Sequence, residues 1–153
     1  MVGLGLAIKS PVGPTIKKIV FERTGCFGTC PAYRVTLTPD GTVTYNGLAY
    51  VKRKGVFRGT FWAYDFVQLS SYIDKIGFSK FKKQYTRNVS DQPGRIVTVV
   101  TDKGTQVVTE DGASGPPEFW ALCNAIDGLT AEVRYGNAEA MTATGKTSQK
   151  RKP

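Results

Sequence analysis

Two of the three cysteines in this chain fall in one run, Phe21-Glu22-Arg23-Thr24-Gly25-Cys26-Phe27-Gly28-Thr29-Cys30-Pro31-Ala32-Tyr33, which constrains the fold more than any other feature. The run lies between two segments of strand character, Lys17 to Arg23 and Ala32 to Thr38, so the two cysteines sit in a short loop joining neighbouring strands. Gly25 and Gly28 let the chain turn back, which brings the two sulfurs within reach of disulfide geometry. The spacing leaves three readings open: a structural disulfide Cys26–Cys30, a pair of reduced packed thiols, or redox or metal work. The spacing is not Cys-x-x-Cys, and no strand-to-helix context surrounds it. A bond closing so short a loop removes little chain entropy and chiefly sets loop shape.

The rest of the chain reads as one domain. Tyr33, Val35 and Leu37 alternate with Arg34, Thr36 and Thr38, the period of a half-buried strand. Pro39-Asp40-Gly41-Thr42 is a tight-turn signature, followed by Val43 and Tyr45 inward with Thr42 and Thr44 outward. Leu48 to Val51 and Gly55 to Phe61 predict a fourth strand, or the end of a long bent third one. Trp62, Phe66, Leu69, Ile73 and Ile76 then form one apolar helical stripe, with Gly77 as its stop. Phe78 to Tyr85 is short, basic and aromatic, and Asn88 to Gly94 is a loop. Arg95 to Thr101 and Thr105 to Glu110 form a second hairpin across Asp102-Lys103-Gly104. Pro116 and Pro117 suit a helix start, and Phe119, Leu122, Cys123 and Ile126 share one face of the helix that follows. The expected fold is α+β: an antiparallel sheet of about six strands in the order ββββ-α-ββ-α. Both helices would pack on one face, leaving a threonine-rich face open. Residues 1–15 read as a flexible arm, 16–135 as the domain and 136–153 as a basic disordered tail.

Composition narrows the chemistry. The chain contains no histidine. That removes Ser-His-Asp and Cys-His centres and the commonest metal ligand, leaving too few ligands for structural zinc. We therefore expect no metal and no cofactor. Of the net charge of +9, the tail supplies +3 through Lys146, Lys150, Arg151 and Lys152 against Glu139. The remainder is spread, with clusters at Lys52-Arg53-Lys54 and Lys80 to Lys83, and no nucleic-acid module accompanies it. No apolar run reaches the roughly 20 residues that span a bilayer. The opening Met1 to Ile8 lacks the basic start and cleavage site of a signal peptide. The protein as it stands reads as cytoplasmic, or as extracytoplasmic had a leader been cleaved from it.

The quoted run and Asp40-Gly41-Thr42-Val43-Thr44-Tyr45-Asn46-Gly47 resemble an uncharacterised bacterial family, a domain of unknown function. Its signature is F-E-R-x-x-C-(Y/F)-G-x-C-P-x-Y followed by D-G-x-V-x-Y-x-G. The resemblance continues through Tyr85-Thr86, Asp91-Gln92-Pro93 and a closing Ile126-Asp127, covering about residues 17 to 135. It implies a fold and no activity.

The site candidates are few. Cys123 on the last apolar stripe reads as a core residue. Asp91, Glu110 and Asp111 read as turn and hairpin carboxylates rather than an acid–base pair. Glu22 and Arg23 flank the cysteine loop. Thr144-Gly145-Lys146-Thr147 lacks the leading glycine of a phosphate loop, since position 140 is Ala140. The best binding candidate is the set Tyr45, Tyr50, Phe57, Phe61, Trp62 and Tyr64 with Lys52, Arg53, Lys54 and Arg58, of which Tyr50, Lys52, Arg53, Lys54, Phe57 and Arg58 form the expected surface. The alternative reading of the same set is a core with a solvated basic edge, whose lysines block unwanted strand pairing. Three functions remain: a non-enzymatic binding module for a protein, glycan or small ligand; a small enzyme using carboxylates or the Cys26 and Cys30 thiols; and a weak electrostatic binder of nucleic acid or anions.

Overall fold

The computed structural model describes residues 15–137. The expected arm apart from Thr15, and the expected tail apart from Gly136 and Asn137, lie outside the described residues. Among the described residues eight strands form one sheet: β1 (Ile16–Arg23), β2 (Ala32–Leu37), β3 (Thr42–Ala49), β4 (Gly55–Thr60), β5 (Gln84–Tyr85), β6 (Gly94–Thr101), β7 (Gly104–Asp111) and β8 (Tyr135–Asn137). Helix α1 spans Ala63–Lys75, a 3-10 turn spans Phe78–Lys80, and α2 spans Pro117–Glu132. The sheet order is β5-β7-β6-β1-β2-β3-β4-β8.

The α+β class and the single helical layer follow from phase. Ile19, Phe21, Val35, Leu37, Val43, Val97, Val99 and Val108 are buried with Phe66, Leu69 and Ile73 of α1 and Phe119, Leu122, Cys123 and Ile126 of α2. Fully burying a side chain such as Phe21 or Phe119 contributes roughly 1.5–3 kcal/mol. On the opposite face, Arg58, Thr44, Thr36, Val20, Thr98 and Val107 follow one another across β4, β3, β2, β1, β6 and β7. This is the threonine-rich face that strand alternation predicts.

Two details differ from the expected six antiparallel strands. β5 pairs with β7 in parallel, which makes the sheet mixed, and β8 pairs antiparallel with β4. With two and three residues these strands are too short to show a period of two. β8 also carries the sheet two residues past the predicted start of the tail. The fourth strand begins only at Gly55, because Tyr50 to Lys54 form the hairpin tip.

Helix α2 starts beside β7, and the chain leaves it to pair beyond β4 at the other edge of the sheet. It therefore crosses the sheet instead of running along one strand. Pro116 and Pro117 open it, where the missing N–H groups cost nothing. At its end, Thr130 Oγ1 donates to the Ile126 carbonyl at 2.7 Å. The Tyr135 hydroxyl donates to the Thr130 carbonyl at 2.9 Å, satisfying a helix-terminal acceptor.

Candidate binding cleft

The cleft begins with a glycine. Gly47 of β3 lies in phase with Val43 and Tyr45, on the face that carries the helices. A Cβ built there would stand 1.8 Å from the Arg53 carbonyl oxygen. Only glycine lets the β3–β4 hairpin tip fold flat onto the sheet, and that fold delivers Arg53. Its guanidinium sits 5.6 Å from the Tyr135 ring centroid and 6.0 Å from that of Phe57. Its Nη1 also donates to the Tyr135 carbonyl at 3.4 Å. Gly59 makes the matching allowance on β4, since a Cβ there would meet Val133 Cγ1 at 2.5 Å.

Under Arg53 runs a chain of rings. Phe21 meets Tyr33 edge-on at 6.1 Å, Tyr33 stacks on Tyr45 at 5.4 Å, and Tyr45 meets Tyr135 at 5.4 Å. Each such pair adds about 0.5–1.5 kcal/mol beyond area burial. Burial raises the Tyr45 hydroxyl above its ordinary pKa against the opposing pull of Arg53. Burial pushes Tyr135 up to about 12. Both hydroxyls therefore stay neutral at pH 7 and act as hydrogen-bonding groups, not bases. Tyr33, Tyr45, Lys52, Arg53, Asp127, Thr130 and Tyr135 line a cleft of about 230 Å³.

A charged row extends from the cleft under α2. Arg23 of β1, Arg95 of β6 and Glu110 of β7 are register neighbours, and Tyr33 is the neighbour of Arg23 on β2. Arg23 Nε donates to both Asp127 oxygens, at 3.2 and 3.0 Å, and its Nη2 donates to Asp127 Oδ2. The Asp127 carboxylate raises the Arg23 pKa further, against desolvation. Arg95 lies 5.6 Å from the Trp120 ring centroid. Glu110 is 2% exposed. Burial raises its pKa, and the attraction of Arg95 and the nearby Ser114 and Gly115 N–H groups only partly offset this. Arg95 Nη1, Glu110 Oε2 and the Trp120 indole nitrogen are buried, and none makes a well-formed hydrogen bond among the described residues.

A second cleft, of about 280 Å³, lies between the end of α1 and the β6–β7 turn. It is larger but plainer: Ile73, Phe78 and Val99 line it, and the Gln106 amide is already committed to the Phe78 carbonyl at 2.7 Å. Asp74 and Lys103 supply its charges. It has neither a ring row nor converging cations.

The structure divides the surface expected from the sequence. Lys52 and Arg53 line the ring cleft, and Phe57, paired with Tyr45, lies beneath Arg53. Tyr50 and Lys54 are exposed at the hairpin tip. Arg58 pairs with Thr44 on the opposite face, so it cannot share a site with Phe57. Trp62 and Tyr64 form an exposed pair 4.9 Å apart at the start of α1, at the other end of the sheet. Cys26 and Cys30 are joined, with their Cα atoms 5.5 Å apart. Cys123 is fully buried, and burial pushes its thiol up to about 12, as a core cysteine requires. Glu110 faces the helices, Asp111 accepts the Arg87 N–H at 3.3 Å, and Asp91 stands in an exposed loop, so no two of the three share a cleft. Glu22 pairs with Arg34 at 3.3 Å on the face away from the helices. Thr144 to Thr147 and the tail cations lie outside the described residues. Among the described residues no group of three or more carboxylate, cysteine or histidine side chains is placed to hold a metal, and no helix is long and apolar enough to cross a membrane.

Tyr33, Asp127, Thr130 and Tyr135 are cleft residues that the sequence reading did not single out. The signal for Tyr33 was present, since it alternates in phase with Val35 and Leu37. Arg23, Arg95 and Glu110 likewise alternate in phase with buried residues, and a charge in core phase marks a buried polar site. No curated protein matches the chain in sequence. Residues 17–130 match the family described as "Domain of unknown function (DUF6438)". That span contains the cysteine loop, the Gly47 hairpin and the Arg23–Asp127 pair, and with most of its length inside the match the chain belongs to the DUF6438 family.

Proposed function

We propose that this domain is a non-enzymatic binding module whose ligand seat is the cleft between the β3–β4 hairpin tip and the end of α2. The observation that carries the reading is the row Tyr33–Tyr45–Tyr135 with Arg53 over its Tyr135 end and Lys52 in the same cleft wall. Ring faces offer stacking, and the two cations favour an anion. The cleft falls slightly below the usual volume of small-molecule sites, so it suits one ring-sized group. An acidic sugar residue or an aromatic carboxylate has that chemistry. The enzyme alternative draws no support from a cysteine pair bonded to itself and a third thiol buried and protonated. A nucleic-acid stripe is disfavoured by the division of Arg58 and Arg53 between two faces of the sheet.

Amide chemical-shift mapping tests the reading with glucuronate and benzoate as probes and glucose and benzamide as neutral controls. The acidic probes should move Gly47, Arg53, Asp127 and Thr130, and Tyr135→Ala should abolish the response. Equal responses to acidic and neutral probes, or shifts gathered around Phe78 and Gln106, would refute it.

A further inference from the structure

Three loops at the disulfide end of the sheet each expose one large apolar side chain: Phe27 at 90%, Tyr50 at 61% and Val89 at 54%. The strand register brings these loops together. Ala32 pairs with Ala49, so the disulfide loop and the hairpin tip leave adjacent strand ends. The Thr24 N–H donates to the Gly94 carbonyl at 3.0 Å, and the Gly94 N–H to Thr24 Oγ1 at 2.9 Å. These bonds tie the base of the disulfide loop to the loop that carries Val89. Among the described residues the four non-glycine residues with left-handed backbone, Tyr50, Asn88, Asp91 and Ala113, all stand in loops at this same end. Asn and Asp adopt this conformation readily, whereas in Tyr50 and Ala113 it persists only where the surroundings enforce it, and such strain gathers at working surfaces.

Cations stand among the apolar tips. Lys52, Arg53, Lys54 and Arg87 are exposed there. Of the carboxylates at this end, Asp127 is paired with Arg23 and Glu22 with Arg34, and Glu110 is buried, so Asp91 and Asp111 stand against four exposed cations. We propose that the disulfide end is a docking surface for an anionic lipid bilayer. Phe27 is the principal inserting side chain, with Tyr50 and Val89 beside it and the cations against the headgroups. A protein partner would favour a contiguous patch in which anchors share a water-excluding surround. Here the anchors are on separate loops with charges between them. A bilayer accepts separate insertion points, and aromatic and basic side chains suit its interface. The Cys26–Cys30 ring holds Phe27 outward, so insertion does not have to order the loop. The surface shares Lys52 and Arg53 with the cleft, but its anchors Phe27, Tyr50 and Val89 lie outside the cleft lining.

Co-sedimentation of the full chain with phosphatidylcholine vesicles, with and without phosphatidylglycerol, provides the test. The protein should partition onto the anionic vesicles only. Phe27→Ser should weaken that partition by about tenfold or more, as loss of a buried aromatic requires, without shifting the unfolding temperature. Lys54→Glu should weaken it further and reduce its salt dependence. Tyr135→Ala, which damages the cleft and frees Arg53, should leave the loss caused by Phe27→Ser in place. A Phe27→Ser partition equal to wild type would mean simple attraction to a basic chain and would overturn the proposal. Failure to sediment with anionic vesicles at low salt would also overturn it.

Discussion

Arg23 and Asp127, 104 residues apart in sequence, are joined by hydrogen bonds from both Nε and Nη2 of the guanidinium to one carboxylate. Arg23 ends the strand that leads into the disulfide loop, and Asp127 lies on the helix that crosses the sheet. The bond therefore pins the crossing angle of α2 over β1. The same carboxylate forms part of the cleft wall, so helix placement and cleft shape depend on one pair.

The pair is about three-quarters buried, so removing one partner strands the other in a poorly solvated place. Arg23→Ala and Asp127→Ala should each cost about 2 kcal/mol, less than the 3–5 kcal/mol of a fully buried pair. In a double-mutant cycle the double variant should lose less than the sum of the two, by about 1 kcal/mol. Additive losses in urea unfolding would mean the contact carries no coupling.

Gly47→Ala places a methyl group where the Arg53 carbonyl now lies. The hairpin tip must lift, at about 1–3 kcal/mol for an overpacked contact. Arg53 should then leave the Tyr135 ring, and ring-current shifts of the Arg53 side-chain protons report this directly. Unchanged shifts and stability would show that the tip is not seated on Gly47.

Much of the fold was legible because alternation survives in strands of six or eight residues, as in Tyr33–Val35–Leu37. β5 and β8 were not legible, since two or three residues cannot display a period and their pairing is decided by distant strands. The cleft was half legible. Lys52, Arg53 and Phe57 lie close together in sequence, whereas Tyr33, Asp127 and Tyr135 reach them only through sheet register and the crossing of α2. No local pattern encodes that crossing. The separation of Arg58 from Phe57 was encoded, because adjacent residues in a strand face opposite ways.

Glu110 makes stability depend on pH in the direction opposite to most carboxylates. Its folded pKa is raised above the ordinary 4.5 by burial, so between that value and its folded pKa the native state binds more protons than the unfolded chain. Its contribution is fully present below about pH 4.5 and is lost as pH rises through the folded pKa. Glu110→Gln keeps the shape and removes the ionisation. Thermal unfolding of the variant from pH 4 to 8 should lack that decline and match or exceed wild type at pH 7. A fall of more than about 5 °C at pH 7 would mean that the attraction of Arg95 outweighs burial.

The three cysteines should separate cleanly by chemistry. Cys26 and Cys30 are bonded to each other, and Cys123 is buried with its thiol pushed up to about 12. The thiolate is the reactive form, so Cys123 in the folded protein resists alkylation even at pH 8. Treated with iodoacetamide without reductant, native protein should take up no label, denatured protein one, and denatured reduced protein three. Peptide mapping should place the single label on Cys123. Brief mild reduction of the native protein should open only the exposed loop, adding labels at Cys26 and Cys30 while the core keeps its unfolding temperature within a few degrees. The bond closes a five-residue loop, and the entropy such a loop withholds from the unfolded chain is small. Rapid labelling of native Cys123, or a mapped bond from Cys123 to either loop cysteine, would contradict the buried position of α2 on the sheet.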